Sequence, residues 1–181
     1  MAYNFLADSE HLIQRFENTF NWLQQYDEQN IPRPVELLST GHFDKMIMKK
    51  ELFFFKQYIC ERQQSSEYFI KPIEQNFESI LNLIEQTSFG QQIYPDIASK
   101  AAHLLYFIVK NHPFYDGNKR SAAFLFVYFL EQNDFHYIDV HINEMMLTIL
   151  VLWIAESRAE DKENVICLII NFIHKIKKDR S

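Results

Sequence analysis

The residues of this chain whose types and spacing could do chemistry are concentrated in one polar stretch, residues 111–120. It contains His112, which can accept a proton near physiological pH because an unperturbed imidazole has a pKa of about 6.5. Asp116 offers carboxylate oxygens, which are the ligands that magnesium prefers. Asn118 and Arg120 can donate hydrogen bonds to phosphate oxygens, Arg120 through a planar fork. A base, a carboxylate and phosphate donors in one short stretch indicate phosphoryl or nucleotidyl transfer.

Two apolar segments flank this stretch and must position it, residues 101–109 and residues 122–130. The first repeats its apolar residues at helical spacing, and the second is apolar almost all round, as in a fully buried helix. Pro113 predicts that the first helix ends one or two residues earlier, because proline lacks an amide hydrogen and restricts the residue before it. Gly117 predicts a turn with a positive φ. The polar stretch is therefore expected to connect two buried helices.

Lys119 and Arg120 open the second predicted helix, where backbone N–H groups without intrahelical partners and the helix dipole favour an anion. Two cations beside that helix start strengthen the preference and predict a phosphate-sized site. The alternative is an ordinary helix connection in which both cations are solvated. Under either interpretation Phe114 is expected in the core, because a large aromatic side chain can hold the loop by its burial.

The run His-Pro-Phe-Tyr-Asp-Gly-Asn-Lys-Arg at residues 112–120 closely resembles the motif of the Fic/Doc family, His-Pro-Phe-x-Asp/Glu-Gly-Asn-Gly/Lys-Arg. This resemblance implies a compact helical fold and an ATP- and magnesium-dependent transferase that modifies proteins. It implies that His112 deprotonates a hydroxyl of the target protein and that Asp116 holds magnesium. It also implies that the nucleotide phosphates are bound by Gly117, Asn118 and Arg120.

The sequence departs from the family motif at two positions. Lys119 stands where members that transfer AMP usually have glycine, and Ala123 stands where a second arginine often follows. Asn-Lys-Arg resembles the Doc branch, whose members phosphorylate their target, whereas His-Pro-Phe and Asp-Gly-Asn resemble the branch that transfers AMP. Both transfer of the α-phosphate with its nucleoside and transfer of the γ-phosphate therefore remain open.

Two further segments resemble elements of Fic-like proteins to different degrees. The segment from Phe89 to Tyr94 resembles the flap that holds the target by main-chain pairing, and an extended edge is suited to adding a peptide strand. An ordinary loop is the alternative. Residues 157–162 resemble an inhibitory helix motif only in part, because its last two positions do not match. A helix-capping box formed by Ser157 and Glu160 explains that segment more simply.

Composition predicts one folded, helical domain. The chain has 181 residues, of which 48% are hydrophobic and only three are glycine, so a sizeable core is expected and a fold of many strands is disfavoured. The net charge of −6 argues against a general nucleic-acid binder. Cys60 and Cys167 lack metal or redox spacing and are expected to be buried free thiols. With no signal peptide and no apolar run of membrane-spanning length, a cytoplasmic protein is expected.

The rest of the chain is typical of helices separated by polar breaks. The predicted fold class is therefore all-α, with a possible short β-hairpin before the motif helix. Residues 1–34 are predicted to be a helical arm and linker, or part of the core, and residues 35–181 the Fic-like helical domain. In the second helix the run of Phe53, Phe54 and Phe55 is expected in the core. His136 and His141 are expected to be solvated, since a third metal ligand is lacking nearby.

The leading hypothesis is a protein adenylyltransferase that transfers AMP from ATP to a Ser, Thr or Tyr hydroxyl, with His112 as general base. One alternative is a Doc-like kinase. Another is a catalytically silent nucleotide-binding or interaction module, in which Ala123 weakens the positioning of the nucleotide. The sequence leaves open which protein is the target, and whether the chain forms a homo-oligomer or is restrained by an inhibitory partner.

Overall fold

The computed structural model describes residues 5–35, 38–135 and 142–178 of the chain. This part of the chain contains seven α-helices, two short strands and one 3-10 turn. In chain order they are α1 (Phe5–Asp27), α2 (Lys45–Glu61), α3 (Asn76–Ile84), β1 (Thr87–Ser88), β2 (Gln91–Gln92), α4 (Ile97–Asn111), α5 (Asn118–Gln132), α6 (Glu144–Glu156), the 3-10 turn (Ala159–Asp161) and α7 (Lys162–Lys178). The predicted class, all-α with one β-hairpin, is confirmed. His136 and His141 lie outside the described residues.

Helix α4 is the centre of the fold. Twelve of its fifteen residues are buried, and α3, α5, α6 and α7 all pack against it. Its alanines, Ala98, Ala101 and Ala102, are fully buried and let the neighbouring helices approach closely. A helix with apolar residues on nearly all sides is stable in water only inside such a shell.

Side-chain caps fix where two of these helices begin. The Asp96 carboxylate accepts a hydrogen bond from the Ser99 amide at 2.8 Å, which starts α4. The Asn143 side chain accepts one from Met146 at 2.8 Å, which starts α6. Short polar side chains can satisfy the free amides of a helix start in this way. The helix that leads to the polar stretch is thus fixed at its far end.

Helix α5 packs along α4 but is less buried than its composition predicts. Leu125, Phe126 and Phe129 face the core, whereas Phe124 and Val127 are only partly buried. The expectation of a helix buried on all sides was therefore wrong for α5. Apolar composition cannot distinguish a helix with four packed neighbours from one that leaves a side open.

Helix α2 shows where a run of aromatic residues misleads. Phe53 and Phe54 are 56% and 49% exposed, while Phe55 stacks on Phe124 with ring centroids 4.5 Å apart. Successive residues of an α-helix point about 100° apart, so three in a row cannot all face one core. Cys60, on the same helix, is exposed rather than buried, whereas Cys167 is buried as expected.

Helix α1 is held at its C-terminal end. The rings of Tyr26 and Trp153 lie 5.9 Å apart, and Asn164 donates a hydrogen bond to the Gln29 side chain at 2.7 Å. Towards the N-terminal end of the helix, the apolar side chains of Phe16 and Phe20 are about half exposed. The division of the chain after residue 34 remains a prediction.

The capping box predicted before the last helix is not formed. Ser157 instead donates its hydroxyl hydrogen to the Ile154 carbonyl at 2.8 Å, which closes the end of α6. The Lys110 ammonium also donates to the carbonyls of Ala155 and Ser157 and so attaches the end of α6 to α4. Within the described ranges, no helix combines the length and the apolar character that crossing a membrane requires.

Candidate active site

The polar stretch connects the C-terminal end of α4 to the N-terminal end of α5. His112 is the first residue after α4 and has left-handed backbone angles, φ 45° and ψ 63°. Pro113 follows and prevents the helix from continuing. The His112 side chain is exposed to solvent. The predicted end of the helix is confirmed, and the histidine lies at the surface rather than in the core.

Asn118 closes the loop that follows His112. Its side-chain oxygen accepts a hydrogen bond from the Phe114 amide at 2.9 Å, and its side-chain nitrogen donates to the Phe114 carbonyl at 2.7 Å. Phe114 is 2% exposed and contacts Phe77, with ring centroids 5.1 Å apart. The predicted core position of Phe114 is therefore confirmed. The Asn118 amide group, predicted to contact phosphate, is committed to the loop, so its backbone N–H is the group left for an anion.

Gly117 lies directly before α5 and has a φ of +86°, as the sequence predicted. A Cβ atom at this position would lie 2.4 Å from Cε2 of Phe69, whose ring is fully buried. Glycine is therefore required here twice, for its backbone angles and for the space it leaves. The N–H groups of the first turn that follows have no intrahelical acceptor.

An irregular segment, residues 66–73, supports the loop from one side. Its backbone pairs with that of the loop through three hydrogen bonds, Ile70 N–H to the Asp116 carbonyl at 2.9 Å, Tyr115 N–H to the Lys71 carbonyl at 3.0 Å and Ile73 N–H to the Pro113 carbonyl at 2.9 Å. Pro72 lies opposite Phe114 in this pairing. The sequence signal for this pairing was the run Tyr-Phe-Ile-Lys-Pro, which ends in a proline, because proline is tolerated at strand edges.

Asp116 and Arg120 form one corner of the site together with the supporting segment. The Asp116 carboxylate accepts a hydrogen bond from the Ser66 hydroxyl at 2.6 Å and lies 3.8 Å from the Arg120 guanidinium. Arg120 also donates to the Gln64 carbonyl at 2.8 Å and lies over the Phe69 ring at 4.1 Å. Both charged side chains remain about two-fifths exposed, so solvent and a ligand can reach them.

The donor set at Asp116 fits magnesium bound jointly with phosphates. The hydrogen bond from Ser66 and the contact with Arg120 both involve Oδ2, which leaves Oδ1 for a metal. Magnesium is commonly held by one or two carboxylates with substrate phosphates and water. The described residues contain no group of three or more His, Cys, Asp or Glu side chains arranged to hold a metal. Asp116 would therefore need the phosphates as co-ligands.

Two cavities open beside the start of α5, and both are lined by Arg120, Ala123 and Leu147. One, of about 260 Å³, also contacts Lys119 and α6. The other, of about 370 Å³, extends along α5 to Val127 and Phe55. A larger cavity of about 720 Å³ lies between α2 and α3 and is lined by Phe114 but by no charged residue of the loop. The smaller two are the ones that adjoin the predicted phosphate site.

The β-hairpin forms as predicted, between α3 and α4. Its strands pair Thr87 with Gln92 and Ser88 with Gln91, with Phe89 exposed at the tip, and it directly precedes the start of α4. Since α4 has fifteen residues and rises 1.5 Å per residue, the two ends of the helix are about 21 Å apart. The segment that pairs with the loop is residues 66–73, whereas Tyr94 packs on His103 and Phe107 of α4. The flap from Phe89 to Tyr94 stays a prediction.

His103, the other histidine of α4, is buried and has a structural role. Its Nδ1 atom lies 2.7 Å from the Ser99 carbonyl oxygen, and its ring lies 3.9 Å from that of Tyr94. Burial lowers the pKa of His103 to about 4, so the ring is neutral at physiological pH and donates from Nδ1.

Comparison with known proteins adds one match. The model of the Fic/DOC family matches residues 45–130, which run from the start of α2 to near the end of α5 and include the whole loop. No curated protein and no solved structure matches the chain.

Proposed function

Because residues 45–130 of this chain belong to the Fic/DOC family, we propose that the protein transfers AMP from ATP to a Ser, Thr or Tyr hydroxyl of a target protein. His112 is the general base of this reaction, and Asp116 holds magnesium. Gly117 to Arg120 bind the phosphates through backbone N–H groups and two cationic side chains. The family supports transfer of a group from a nucleotide to a protein. His112, Asp116 and residues 117–120 offer the base, the metal ligand and the phosphate donors that such a transfer needs.

The observation that carries the proposal is the position of His112. It is exposed directly outside the buried helix α4, two residues before the Phe114–Asn118 hydrogen bonds that turn the chain into α5. A proton acceptor is thereby attached to the same short loop as a helix start that favours an anion. A base held at one end of an anion site can act on a hydroxyl that approaches the bound phosphates.

The proposed step balances in atoms and charge. The hydroxyl oxygen of the target attacks the α-phosphorus of ATP while His112 takes the hydroxyl proton. The bond from the α-phosphorus to its bridging oxygen breaks, and pyrophosphate leaves. Magnesium at Asp116 would neutralise phosphate charge. The unused N–H donors of Arg120 and the amides of the first turn of α5 would stabilise the charge that develops on the phosphoryl oxygens.

Two observations favour a second candidate, a Doc-like kinase. Lys119 is exposed at the start of α5, and Ala123 supplies no guanidinium one turn later. A kinase would transfer the γ-phosphate and release ADP, with the same base and the same loop. A silent binding module is the third candidate, in which the missing guanidinium leaves the nucleotide too poorly positioned to react.

ATP labelled separately at the α- and γ-phosphates separates these candidates. The full chain is incubated with each label in a cell lysate with magnesium, and labelled proteins are resolved by gel and identified by intact mass. Adenylyl transfer deposits the α-label, whereas a kinase deposits the γ-label only. A rise in melting temperature with magnesium and ATP but no label on any protein would identify a silent nucleotide-binding module. No label and no rise would exclude nucleotide binding and leave an interaction module.

A further inference from the structure

Helix α1 carries four large apolar side chains on one exposed side. Residues 13–21 are all exposed to solvent. The four side chains are between 43% and 58% exposed, and they are Ile13, Phe16, Phe20 and Leu23. At about 100° per residue they fall within an arc of about 80° around the helix axis. Their spacing of three, four and three residues is that of the contact between two paired helices, and we call these four residues the α1 seam.

The α1 seam faces away from the domain that holds the helix. Among residues 13–27 the partly buried ones are Trp22, Gln25 and Tyr26, and Tyr26 contacts Trp153 of α6. The centre of the seam lies roughly 150° around the helix from these three residues. Because helices in proteins are stabilised mainly by packing of their apolar face, the seam requires a partner that its own domain does not supply.

The polar residues of α1 argue against a membrane or a nucleic acid as that partner. Residues 13–27 include one cation, Arg15, and two acids, Glu17 and Asp27. Helices that bind membrane surfaces or nucleic acids are typically rich in lysine and arginine. The other polar side chains near the seam are uncharged, and they are Gln14, Asn18, Thr19, Asn21, Gln24 and Gln25. Charges beside such a seam normally select the partner, so α1 carries little that would reject an identical helix.

We propose that α1 pairs with α1 of a second copy of this chain, in an antiparallel arrangement centred on Asn18. In this register Phe16 faces Phe20 of the second copy, and Ile13 faces Leu23 of the second copy. The α1 seam is therefore complementary to itself. This inference goes beyond the proposed function and does not depend on it.

Charge favours the antiparallel arrangement over a parallel one. Each chain carries a net charge of −6, and its domain follows the C-terminal end of α1. Antiparallel pairing separates the two C-terminal ends by about 27 Å along the pair, which exceeds three Debye lengths of about 8 Å at physiological salt. Parallel pairing would bring both chains together at one end. In the antiparallel register Arg15 and Glu17 lie level with Asn21 and Thr19 of the second copy, so like charges do not meet.

The area of the seam predicts a weak dimer. At about half exposure each of the four side chains has on the order of 100 Å² left to bury. The total of about 400 Å² per copy is half of the roughly 800 Å² that each partner buries in a standard stable interface. We therefore expect a dissociation constant on the order of 10 to 100 μM.

Sedimentation equilibrium of the full chain, from about 5 to about 500 μM, tests for this dimer. The wild type should shift from monomer to dimer across this range. Phe20→Ser should weaken the dimer by about tenfold or more, because each substitution removes apolar contact from both copies. Phe54→Ser is the matched control, since Phe54 of α2 is 49% exposed and Phe20 is 50% exposed. Circular dichroism checks that both variants are folded.

Disulfide cross-linking tests the direction of pairing. It is done with Cys60→Ser in every chain, because Cys60 is exposed. A mixture of Ile13→Cys and Leu23→Cys should form linked dimers of unlike chains, whereas Ile13→Cys alone should form none. Mass spectrometry of the linked peptides identifies the pairs. Linked dimers of Ile13→Cys alone would show parallel helices and overturn the proposed arrangement.

Three further outcomes would overturn the proposal. One is a wild-type chain that stays monomeric at about 500 μM. Another is dimerisation that Phe20→Ser leaves undiminished, which would place the contact on a different surface. The third is co-sedimentation with vesicles of phosphatidylcholine and phosphatidylserine that Phe20→Ser abolishes, because the seam would then cover a membrane surface. The transferase proposal is tested separately, by the labelled ATP, and stands or falls without the dimer.

Discussion

One histidine within helix α4 and another directly after it, nine residues apart, lie in opposite environments. His103, in the N-terminal half, is 4% exposed, donates to the Ser99 carbonyl and packs on Tyr94. His112, just past the C-terminal end, is exposed and has left-handed backbone angles. The same side chain is a packed aromatic group in the first position and an accessible base in the second. Environment, and not residue type, decides which histidine is available for chemistry.

The same contrast extends to what surrounds each end. The N-terminal end is closed by a carboxylate cap and by a buried ion pair, in which Lys100 and Glu85 lie 2.9 Å apart. The C-terminal end is followed by a loop whose charged groups, Asp116 and Arg120, remain partly exposed. Groups paired inside a fold contribute to its stability, whereas partly exposed groups beside a helix start remain able to meet a ligand.

The largest expected effect comes from exchanging each histidine for alanine. His112→Ala should lower the rate of transfer by about 10²- to 10⁴-fold, the usual contribution of a general base. Its melting temperature and its affinity for nucleotide should stay close to those of the wild type. His103→Ala should do the reverse, lowering the melting temperature while each folded molecule keeps its rate. Equal transfer by His112→Ala and wild type would contradict the assignment of the base.

Two glycines with similar backbone angles, one before α4 and one after it, allow the surroundings of its two ends to be compared. Gly117, at the start of α5, has a φ of +86°, and Gly90, in the hairpin, has a φ of +80°. Gly117→Ala should cost about 3 kcal/mol or more, because backbone strain adds to the overlap with the buried Phe69 ring. Gly90→Ala should cost only the strain, about 1 to 2 kcal/mol, because a Cβ atom at Gly90 would have no other atom within 4 Å.

Urea unfolding of both glycine variants measures this difference. A similar loss of stability in the two would show that crowding at Phe69 does not matter and that the loop can shift to accommodate a methyl group.

The buried histidine predicts how stability depends on pH. The pKa of His103 is lowered by burial to about 4 in the folded protein, against about 6.5 when unfolded. Between these values the unfolded chain binds a proton that the folded chain does not, so stability is lost as pH falls from about 6.5 towards 4. The loss from this group should reach about 2 kcal/mol at pH 5.

Urea unfolding at pH 7 and pH 5 checks the sign and the source of this dependence. His103→Gln should reduce the loss between the two pH values. The Asp161 carboxyl does not interfere, because the hydrogen bond from Arg158 lowers its pKa below the ordinary 3.8. Its contribution is therefore lost only at lower pH. An unaltered pH dependence in His103→Gln would show that another group is responsible.

The smallest expected effect is at Ser66, which donates to Asp116 from the supporting segment. Ser66→Ala should change stability by less than about 1 kcal/mol, because both side chains are open to water. Transfer should persist in this variant, whereas Asp116→Ala should lower it at ordinary magnesium concentrations. Titration of magnesium against the rate of transfer distinguishes the two, and loss of transfer in Ser66→Ala would make the serine an essential part of the site.

The loop and its two helices could be predicted from the sequence because single residues determine them. Pro113 ends α4, Gly117 provides the positive φ, and Asp96 caps the helix start. Each acts through its own backbone restriction or its own hydrogen bond, so no distant partner had to be known. The family motif then supplied the roles of the polar residues, which remain a proposal.

The features that sequence reasoning missed all depend on distant neighbours. Residues 66–73 pair with the loop through backbone atoms, so their side chains do not specify which segment they pair with. The exposure of Phe53 depends on which side of α2 meets α5. Ser157 closes the preceding helix instead of capping the next one, because Lys110 already binds the chain at that point. Local patterns specify elements, whereas tertiary contacts decide the faces and partners of those elements.

The backbone pairing between residues 66–73 and the loop after His112 has a consequence for evolution. Main-chain hydrogen bonds keep the two segments attached whatever most of their side chains are, so outward-facing positions such as Tyr68 and Lys71 can mutate without detaching the scaffold. The surface beside the loop after His112 can therefore diversify rapidly while the loop itself is preserved. A lineage of such proteins would acquire new targets by replacing a few side chains on this segment.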